Sequence, residues 1–443
     1  MKPTRGLLLT FSLPAIMQGF THTAAGQVLP GIYAKHFGLS LGALGVAVLV
    51  CKIFDAVTDP VIGVWSDHTR RRSGSRKPWV LGGALFTAVA LWLLLRPPPD
   101  VTIFYFTALY LAVYAGWTVT EIPYRAWSLE LTSDYTGRTQ VAVWLFAMAL
   151  LGAVLVFLVP MASKALGLAP TQEITPQTLA LCALLIAFGL PAFALIAVLR
   201  VPAGEFVAEP QRESWRELLR SVVRNRPLLY LNAVFLLQSL AAGMTNGVAF
   251  LFIDVHLGLG EKVAALLLIT VPIAVLSAPV WGWLCNRYEK HRTWAVALAA
   301  GAVASGLLGL VPPGEGGFVP LIALLLLNFF FGAASGVAMP ALLGDVVDYG
   351  RLEYGRDRAG VYYSFYTLIQ KAVTGAGMGL GLVLLDLFGF RAQGGEQTAT
   401  AVFGIQFAYA FLPCLIGLLA VPLMWRFPIG RAQHAEIRAR LAA

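Results

Sequence analysis

Long runs of apolar residues, separated by short polar stretches, repeat along almost the whole chain. Twelve of these runs approach or exceed the length of about 20 residues that an α-helix needs to cross the hydrocarbon core of a bilayer. They lie at approximately 8–31, 41–65, 78–97, 102–124, 141–163, 177–200, 228–253, 262–286, 293–312, 318–343, 361–388 and 401–425. The pattern predicts an all-α membrane protein with twelve transmembrane helices.

Composition agrees with this interpretation. Of the 443 residues, 58% are apolar and 12% are charged, whereas an ordinary soluble domain carries about twice that share of charged residues. The composition therefore excludes a water-soluble protein. The four cysteines are scattered, with no CxxC or Cys/His spacing, so the sequence indicates neither a disulfide framework nor a metal site beyond a possible Na⁺.

The basic residues are unevenly distributed between the two sides of the predicted membrane. With these spans, 25 of the 32 Lys and Arg residues lie on the side that holds both termini, and five lie on the other side. Because basic loops resist translocation, the bias predicts cytoplasmic termini and a multi-pass protein of the plasma (inner) membrane. It also accounts for the net charge of +9 without a nucleic-acid partner.

A basic connector at 201–227 divides the chain into two sets of six predicted spans. The predicted domains are an N-terminal bundle (1–200), this connector, a C-terminal bundle (228–426) and a cytoplasmic tail (427–443). A weak repeat relates the two bundles: Pro60, Gly63 and Asp67 recur 219 residues later as Pro279, Gly282 and Asn286. Two related six-helix bundles are typical of secondary transporters, which bind substrate between them near the bilayer midplane.

The connector itself contains an amphipathic pattern. Its apolar positions follow helical spacing, at Trp215, Leu218, Leu219, Val222 and Val223. We interpret this segment as a helix that lies on the cytoplasmic leaflet and tethers the two bundles.

Five charged residues lie inside predicted spans and away from the membrane interface, where each costs at least about 2.5 kcal/mol at the bilayer centre. Lys52, Asp55 and Asp59 share one face of the second span, Glu121 is near the end of the fourth, and Lys371 is near the middle of the eleventh. Lys52 could neutralise one aspartate as a structural ion pair. One lysine does not neutralise three carboxylates, so we favour a site for a coupling cation, Na⁺ or H⁺.

Oxygen ligands surround the two aspartates. Small hard cations prefer oxygen ligands, and Thr58 and Thr118 offer hydroxyls near Asp55 and Asp59. Without a metal ion, the paired carboxylates would raise one another's pKa and could carry a proton. Lys52 is the predicted charge partner of this site.

Polar groups on other spans indicate where a substrate could bind. Gln18 with His22, and Thr367 with Lys371, are pairs four residues apart and therefore share a helix face. Small hydroxyls in spans more often join helices to one another. The polar residues that we predict to bind substrate on this basis are Gln18, His22, Tyr363, Thr367, Gln370 and Lys371.

Three segments carry a family resemblance. They are FDAVTDPVIGVWSDHTRRRSGSRKPWVL from Phe54, EIPYRAWSLELTSDYTGRT from Glu121 and GDVVDYGRLEYGRDRAG from Gly344. They resemble the glycoside–pentoside–hexuronide:cation symporters of the major facilitator superfamily, and the likeness extends over essentially the whole chain. The resemblance implies the major facilitator fold and cation-coupled symport of a sugar or glycoside by alternating access.

The resemblance also implies roles for individual residues. Asp55, Thr58, Asp59 and Thr118 match the cation site, with Lys52 beside it. Glu121, Thr367 and Lys371 match sugar-contacting positions. The cytoplasmic loop residues Asp67, Arg70, Arg71, Arg72 and Arg76 match a motif that holds one end of the path closed.

Departures from the family pattern leave alternatives open. Thr58 replaces an asparagine linked to Na⁺ use, and Gln18 and Phe146 stand where a sugar-binding relative has basic residues. A lysolipid or a small organic anion is therefore the alternative substrate.

The sequence gives no indication of an enzyme. It contains neither a nucleophile paired with a base nor an HExxH pattern. We expect no cofactor, and a monomer suffices for the mechanism.

Overall fold

The structure is a computed structural model that describes residues 4–132, 135–204, 215–355 and 358–442. Within these ranges all regular structure is helical and no strand is present. The α-helices are α1 (Arg5–Thr23), α2 (Leu29–Phe37), α3 (Leu41–Ser73), α4 (Lys77–Leu95), α5 (Ile103–Glu130), α6 (Tyr135–Ala165), α7 (Pro176–Arg200), α8 (Trp215–Arg224), α9 (Arg226–Leu251), α10 (Val263–Arg287), α11 (Lys290–Leu308), α12 (Phe318–Tyr354), α13 (Ala359–Leu387), α14 (Ala399–Gln406), α15 (Leu412–Trp425) and α16 (Arg431–Ala442). Short π-helical segments occupy Ala24–Val28, Phe252–His256 and Phe407–Phe411, and 3₁₀ turns occupy Gly260–Lys262 and Glu315–Gly317.

Ten helical segments of the described chain are long and apolar enough to cross a membrane. They coincide with ten of the twelve predicted runs. The other two runs, 8–31 and 293–312, are largely helical but less apolar. Gln18 and His22 dilute the first, whereas α11 begins with Lys-His-Arg, is rich in alanine and glycine, and ends at Leu308.

Two helices extend well beyond the apolar runs that predicted them. α3 continues to Ser73 and α12 continues to Tyr354. Each is followed by a glycine in the left-handed region, Gly74 with φ 72° and Gly355 with φ 67°. Such a glycine is a common helix stop because it lacks a Cβ. The helices therefore end where the backbone can turn, several residues after the hydropathy changes.

The chain forms two compact units. Unit 1 comprises Met1–Glu209, Gly260–Leu267 and Arg391–Glu396, and unit 2 comprises Pro210–Leu259, Leu268–Phe390 and Gln397–Ala443. Within unit 1, the short 260–267 segment is joined by an ion pair between Lys164 and Glu261, at 3.8 Å. The domain boundaries drawn from the sequence stay predictions.

The predicted amphipathic connector is only partly described. Its C-terminal portion is helical as α8, and Val222 is buried whereas Val223 is exposed. Residues 205–214, and the side chains of Trp215, Leu218 and Leu219, lie outside the described part of the chain.

Unit 1 is held together by direct backbone contact between helices. A Cβ at Gly19 of α1 would lie 1.9 Å from the Ala149 carbonyl oxygen of α6, and one at Gly152 would lie 1.8 Å from the Ile16 oxygen. Glycine therefore permits a contact that any side chain would block. α5 packs against both α3 and α4, which places its Thr118 beside α3.

Unit 2 uses the same device between α9 and α13. A Cβ at Gly243 would lie 2.1 Å from the Thr374 carbonyl oxygen, and one at Gly377 would lie 2.4 Å from the Leu240 oxygen. Its apolar core includes the fully buried Trp294 and the nearly buried Trp281 and Phe235. These contacts fix the positions of the polar side chains that α9 and α12 present to a cavity within the unit.

Candidate cation and substrate site

Two carboxylates of α3 converge on one hydroxyl of α5. Asp55 and Asp59 are one helical turn apart and so share a face. The Thr118 Oγ1 atom lies 2.8 Å from Asp55 Oδ1 and 3.1 Å from Asp59 Oδ1. Asp55 is buried and the Thr118 side chain is completely buried. The structure therefore brings together three of the four predicted cation ligands.

The arrangement concentrates negative charge in an apolar environment. Because both bonds share Thr118 Oγ1 at 2.8 and 3.1 Å, the two carboxylate oxygens are no more than about 6 Å apart. Two unit charges at that separation repel by about 3 kcal/mol at an effective dielectric constant of about 20. One hydroxyl proton can be donated fully to only one of them. A bound Na⁺ or an added proton would relieve this repulsion, and the carboxylate and hydroxyl oxygens suit a hard cation.

Thr58 and Lys52 occupy less direct positions. The Thr58 hydroxyl donates within its own helix, to the carbonyl oxygens of Phe54 at 3.0 Å and Asp55 at 3.2 Å. The Lys52 Nζ atom lies over the Tyr114 ring, 4.3 Å from its centroid. Such a cation–π contact stabilises an ammonium group at the edge of the site. Their roles as ligand and charge partner stay predictions.

An irregular helical segment adjoins this region. The π-helical Ala24–Val28 follows α1, and the Tyr110 hydroxyl of α5 donates to its Ala25 carbonyl oxygen at 3.1 Å. Tyr110 and Tyr114 hydroxyls lie 3.4 Å apart. π-helical turns occur frequently at functional sites. The apolar pattern of the first span carries no signal for this segment.

The Glu121 carboxylate is held between two donors of its own helix. Trp117 Nε1 donates to Glu121 Oε2 at 2.5 Å, and Arg125 Nε donates to Oε1 at 2.8 Å. Glu121 is buried, whereas the Arg125 side chain is 71% exposed. His22 extends the cluster, since its ring centroid lies 6.0 Å from that of Trp117. Arg125 is not among the predicted site residues, although its spacing of four residues from Glu121 is a usable signal.

Gln18 carries a buried amide nitrogen. The residue is 9% exposed, and Gln18 Nε2 has no hydrogen-bond partner among the described residues. A buried donor left without an acceptor costs about 1–3 kcal/mol. This supports the prediction that Gln18 contacts a substrate.

The remaining predicted substrate residues lie on α13 of unit 2. Tyr363 is 55% exposed, Gln370 is exposed and Lys371 is half-buried. The Thr367 hydroxyl donates to the Ser364 carbonyl oxygen at 2.9 Å. Tyr363, Thr367, Gln370 and Lys371 share one face of α13 by their spacing. The structure therefore groups them on one helix, and their contact with substrate stays a prediction.

The predicted gating loop is organised around Glu130, an acidic residue outside the predicted set. Arg70 Nε lies 2.9 Å from Glu130 Oε2, and Arg76 Nε lies 2.8 Å from Glu130 Oε1. Arg76 also pairs with Asp67 at 2.6 Å, whereas Arg71 and Arg72 are exposed.

This cluster also binds the segment that follows α7. Arg70 Nη2 donates to the Gly204 carbonyl oxygen at 2.8 Å, and Trp127 Nε1 donates to that of Pro202 at 2.9 Å. All these contacts lie within unit 1. They stabilise the junction of α3, α4 and α5, and a gating role stays a prediction.

The fold and the site together define a multi-pass membrane transporter. Its apolar helices are able to cross a membrane, and its carboxylates converge inside one unit. The chain belongs to the MFS/sugar transport protein family, whose model matches residues 10–431. This confirms the resemblance to the glycoside–pentoside–hexuronide:cation symporters, a family of plasma-membrane symporters for small-molecule substrates.

Individual relatives cover most of the chain. A glucuronide carrier protein homolog of Escherichia coli is 24% identical over 97% of this chain and 94% of its own length. The human sodium-dependent lysophosphatidylcholine symporter 1 is 24% identical over 90% of this chain and 78% of its own. The crystal structure of a D323A mutant of the nucleoside transporter NupG superposes with a TM-score of 0.67 at 13% identity, covering 96% of this chain and 100% of that one. This last likeness concerns the fold alone.

Proposed function

We propose that the protein couples the entry or exit of a sugar or glycoside to movement of Na⁺ or H⁺ at the Asp55–Thr118–Asp59 site. The observation that carries the proposal is the convergence of both carboxylates on the buried Thr118 hydroxyl. Intramembrane carboxylates of this kind are costly and usually mark ion pathways.

Coupling follows from thermodynamic linkage. Cation binding neutralises part of the charge on Asp55 and Asp59 and favours the conformation that binds substrate. Each ligand then raises the affinity for the other by the same factor. The loaded carrier exposes its site alternately to the two sides of the membrane. No chemical step, catalytic residue or cofactor enters this scheme, and a monomer is sufficient.

Glu121 and its partners are suited to binding a polyhydroxylated substrate. The carboxylate can accept hydrogen bonds from sugar hydroxyls, whereas the exposed guanidinium of Arg125 can donate to them. The Trp117 indole is held by its bond to Glu121 and offers an aromatic face for a sugar ring. We place Gln18 and His22 beside this group, with Thr367 and Lys371 of α13 as further contacts.

We further propose twelve transmembrane spans with cytoplasmic termini. Ten of these spans are the more apolar helices, and the α1–α2 segment and α11 are the other two. Small and polar residues are tolerated in a span that faces other helices. The bias of Lys and Arg towards the side of the termini supports this orientation.

A lysolipid is the second candidate substrate. The similarity to the human lysophosphatidylcholine symporter over 90% of this chain favours it. A lysolipid carrier would require room for an acyl chain in addition to the polar group.

The test is a thermal-stability screen of purified protein against neutral glycosides, uronates and lysophosphatidylcholine, with and without Na⁺ and at several pH values. We expect a sugar or glycoside to stabilise the protein more strongly when Na⁺ or a lower pH is supplied. Stabilisation by lysophosphatidylcholine alone would favour the second candidate. Stabilisation by a sugar that is independent of both Na⁺ and pH would refute coupling.

A further inference from the structure

Unit 2 contains a cavity of about 220 Å³ among α9, α11, α12 and α15. Its wall combines small residues with six side chains that carry amide or hydroxyl groups. These are Gln238, Thr245, Asn246, Ser305, Asn328 and Ser335. No Asp, Glu, Lys, Arg or His is among the described residues that line it. The cavity is therefore polar but uncharged.

At one wall of the cavity, the existing hydrogen bonds leave polar groups that could bind a ligand. Gln238 Nε2 donates to Ser335 Oγ at 2.5 Å, and Trp294 Nε1 donates to the same oxygen at 3.1 Å. Because Ser335 Oγ already accepts two bonds, its own proton remains available as a donor. Gln238 Oε1 is buried and has no hydrogen-bond partner in the described part of the protein, so this wall offers an acceptor beside a donor.

The other walls add further groups of both kinds. Asn328 Nδ2 donates to the Gly301 carbonyl oxygen at 3.4 Å, which leaves the amide oxygen and a second N–H. The Thr245 hydroxyl donates to the Tyr409 carbonyl oxygen at 3.2 Å, which leaves its lone pairs as acceptors. Phe331 and nearby glycines and alanines supply apolar surface. A molecule with several hydroxyls and exposed C–H faces matches this combination.

We propose that this cavity binds the ring of a neutral polyhydroxylated molecule, a glycoside or a related polyol. A sugar hydroxyl both donates and accepts hydrogen bonds, so each can satisfy an amide or hydroxyl of the wall. An ionised uronate or phosphate would lose hydration without gaining an opposite charge, which is costly. The volume is below the range of about 300–1,000 Å³ typical of drug-sized pockets, so it suits one ring better than an acyl chain.

The cavity is a binding site additional to the Glu121 group of unit 1, and the proposal rests on the proposed function only for the identity of the transported solute. Binding of a neutral glycoside to unit 2 does not depend on whether cation coupling in unit 1 is correct. The two ideas are separated by their tests, because Gly332→Val tests the cavity, whereas the dependence of binding on Na⁺ and pH in the unchanged protein tests coupling.

The test uses two glycines of α12. A Cβ added at Gly332 or at Gly336 would meet no atom within 4 Å, so both positions tolerate a first side-chain carbon. Gly332 lines the cavity, whereas Gly336 does not. Gly332→Val fills the cavity, and Gly336→Val is the matched control on the same helix. Asn328→Leu, which removes an amide from the wall, provides a second variant with a different structural cost.

The probes are the methyl glycosides of glucose, galactose and xylose, with glucuronate as the charged comparison, and the readouts are calorimetric binding and thermal stability. We expect at least one neutral glycoside to bind the unchanged protein and glucuronate to bind more weakly. Gly332→Val and Asn328→Leu should each lower the affinity at least tenfold, whereas Gly336→Val should bind the glycoside as the unchanged protein does.

Three results would overturn the proposal. They are binding of none of the three neutral glycosides, equal affinity in Gly332→Val and Gly336→Val, and tighter binding of glucuronate than of every neutral probe. If neutral binding is lost in Gly332→Val but is insensitive to Na⁺ and pH in the unchanged protein, the cavity proposal holds and cation coupling fails.

Discussion

The Thr118 hydroxyl on α5 lies 2.8 Å from the Asp55 carboxylate on α3. This contact joins two helices through a completely buried hydroxyl and a buried acid. Since the same oxygen also lies 3.1 Å from Asp59, the position of α5 determines how close the two carboxylates come to a common ligand. The proposed cation site is thus a property of the α3–α5 packing as well as of α3.

Removal of the Thr118 hydroxyl tests its part in cation binding. Thr118→Val keeps the shape of the side chain and deletes one oxygen ligand. We expect the Na⁺ or proton affinity, measured by cation-dependent thermal stabilisation, to fall about tenfold, the equivalent of one hydrogen bond to a charged group. Thr120→Val is the control, because the Thr120 hydroxyl donates to the Gly116 carbonyl oxygen of its own helix, at 2.8 Å. Equal losses in the two variants would argue against a specific role.

Loss of the Glu130 carboxylate should destabilise unit 1. Glu130→Gln removes the shared partner of Arg70 and Arg76, both of which are buried. Breaking a buried pair by removing one partner typically costs about 3–5 kcal/mol. The measurement is the thermal or denaturant midpoint in detergent, with the exposed Glu436→Gln as control.

A double variant checks the cause of that loss. If the unpaired charge is responsible, adding Arg76→Gln to Glu130→Gln should cost less than the sum of the two single changes. Strict additivity, or a Glu130→Gln protein as stable as the control, would contradict the assigned pairing.

Glycine is required where α1 meets α6. Gly19→Ala would place a methyl carbon 1.9 Å from the Ala149 carbonyl oxygen, so the helices must separate. We expect a loss of about 1–3 kcal/mol or more in stability, visible as reduced yield of monodisperse protein and a lower melting temperature. Gly6→Ala on the same helix meets no atom within 4 Å and should leave both unchanged. Unaltered melting of Gly19→Ala would contradict the close packing.

His291 should make the protein less stable in acid. Burial lowers the pKa of His291 below its usual value near 6.5, Glu289 opposes this shift and Arg292 adds to it. A depressed pKa means that the folded state disfavours the proton. The stabilising contribution is therefore complete above about pH 6.5 and is lost as the pH falls.

The measurement is the melting temperature between about pH 7 and pH 5. The unchanged protein should lose more stability over this interval than His291→Gln, whose side chain does not titrate. His68→Gln replaces an exposed histidine and should follow the unchanged protein. An identical pH profile for all three proteins would show that folding does not lower the pKa of His291.

Much of the helical pattern, and the convergence of residues at the centre of the proposed cation site, follow from the sequence. Apolar runs locate the ten helices that are long and apolar enough to cross a membrane, because the length of a span is set by bilayer thickness. The spacing of Asp55 and Asp59 places both on one face of α3. Their costly position in an apolar helix marks them for a function.

Other features depend on contacts between segments that are distant in the sequence. Glu130 pairs with two arginines more than fifty residues earlier, one from the end of α3 and one from the start of α4, and no local sequence pattern indicates this relation. The position of Lys52 over the Tyr114 ring depends likewise on the packing of α3 against α5. The apolar runs place the ends of α3 and α12 too early because hydropathy falls before the helical backbone stops.

The most direct test of the account is uptake of a labelled neutral glycoside into proteoliposomes under an inward gradient of Na⁺ or H⁺. The unchanged protein should concentrate the glycoside above its external level while the gradient lasts. Asp59→Asn should at most equilibrate it. Gradient-driven accumulation by Asp59→Asn equal to that of the unchanged protein would contradict the assignment of Asp55, Thr118 and Asp59 as the coupling site.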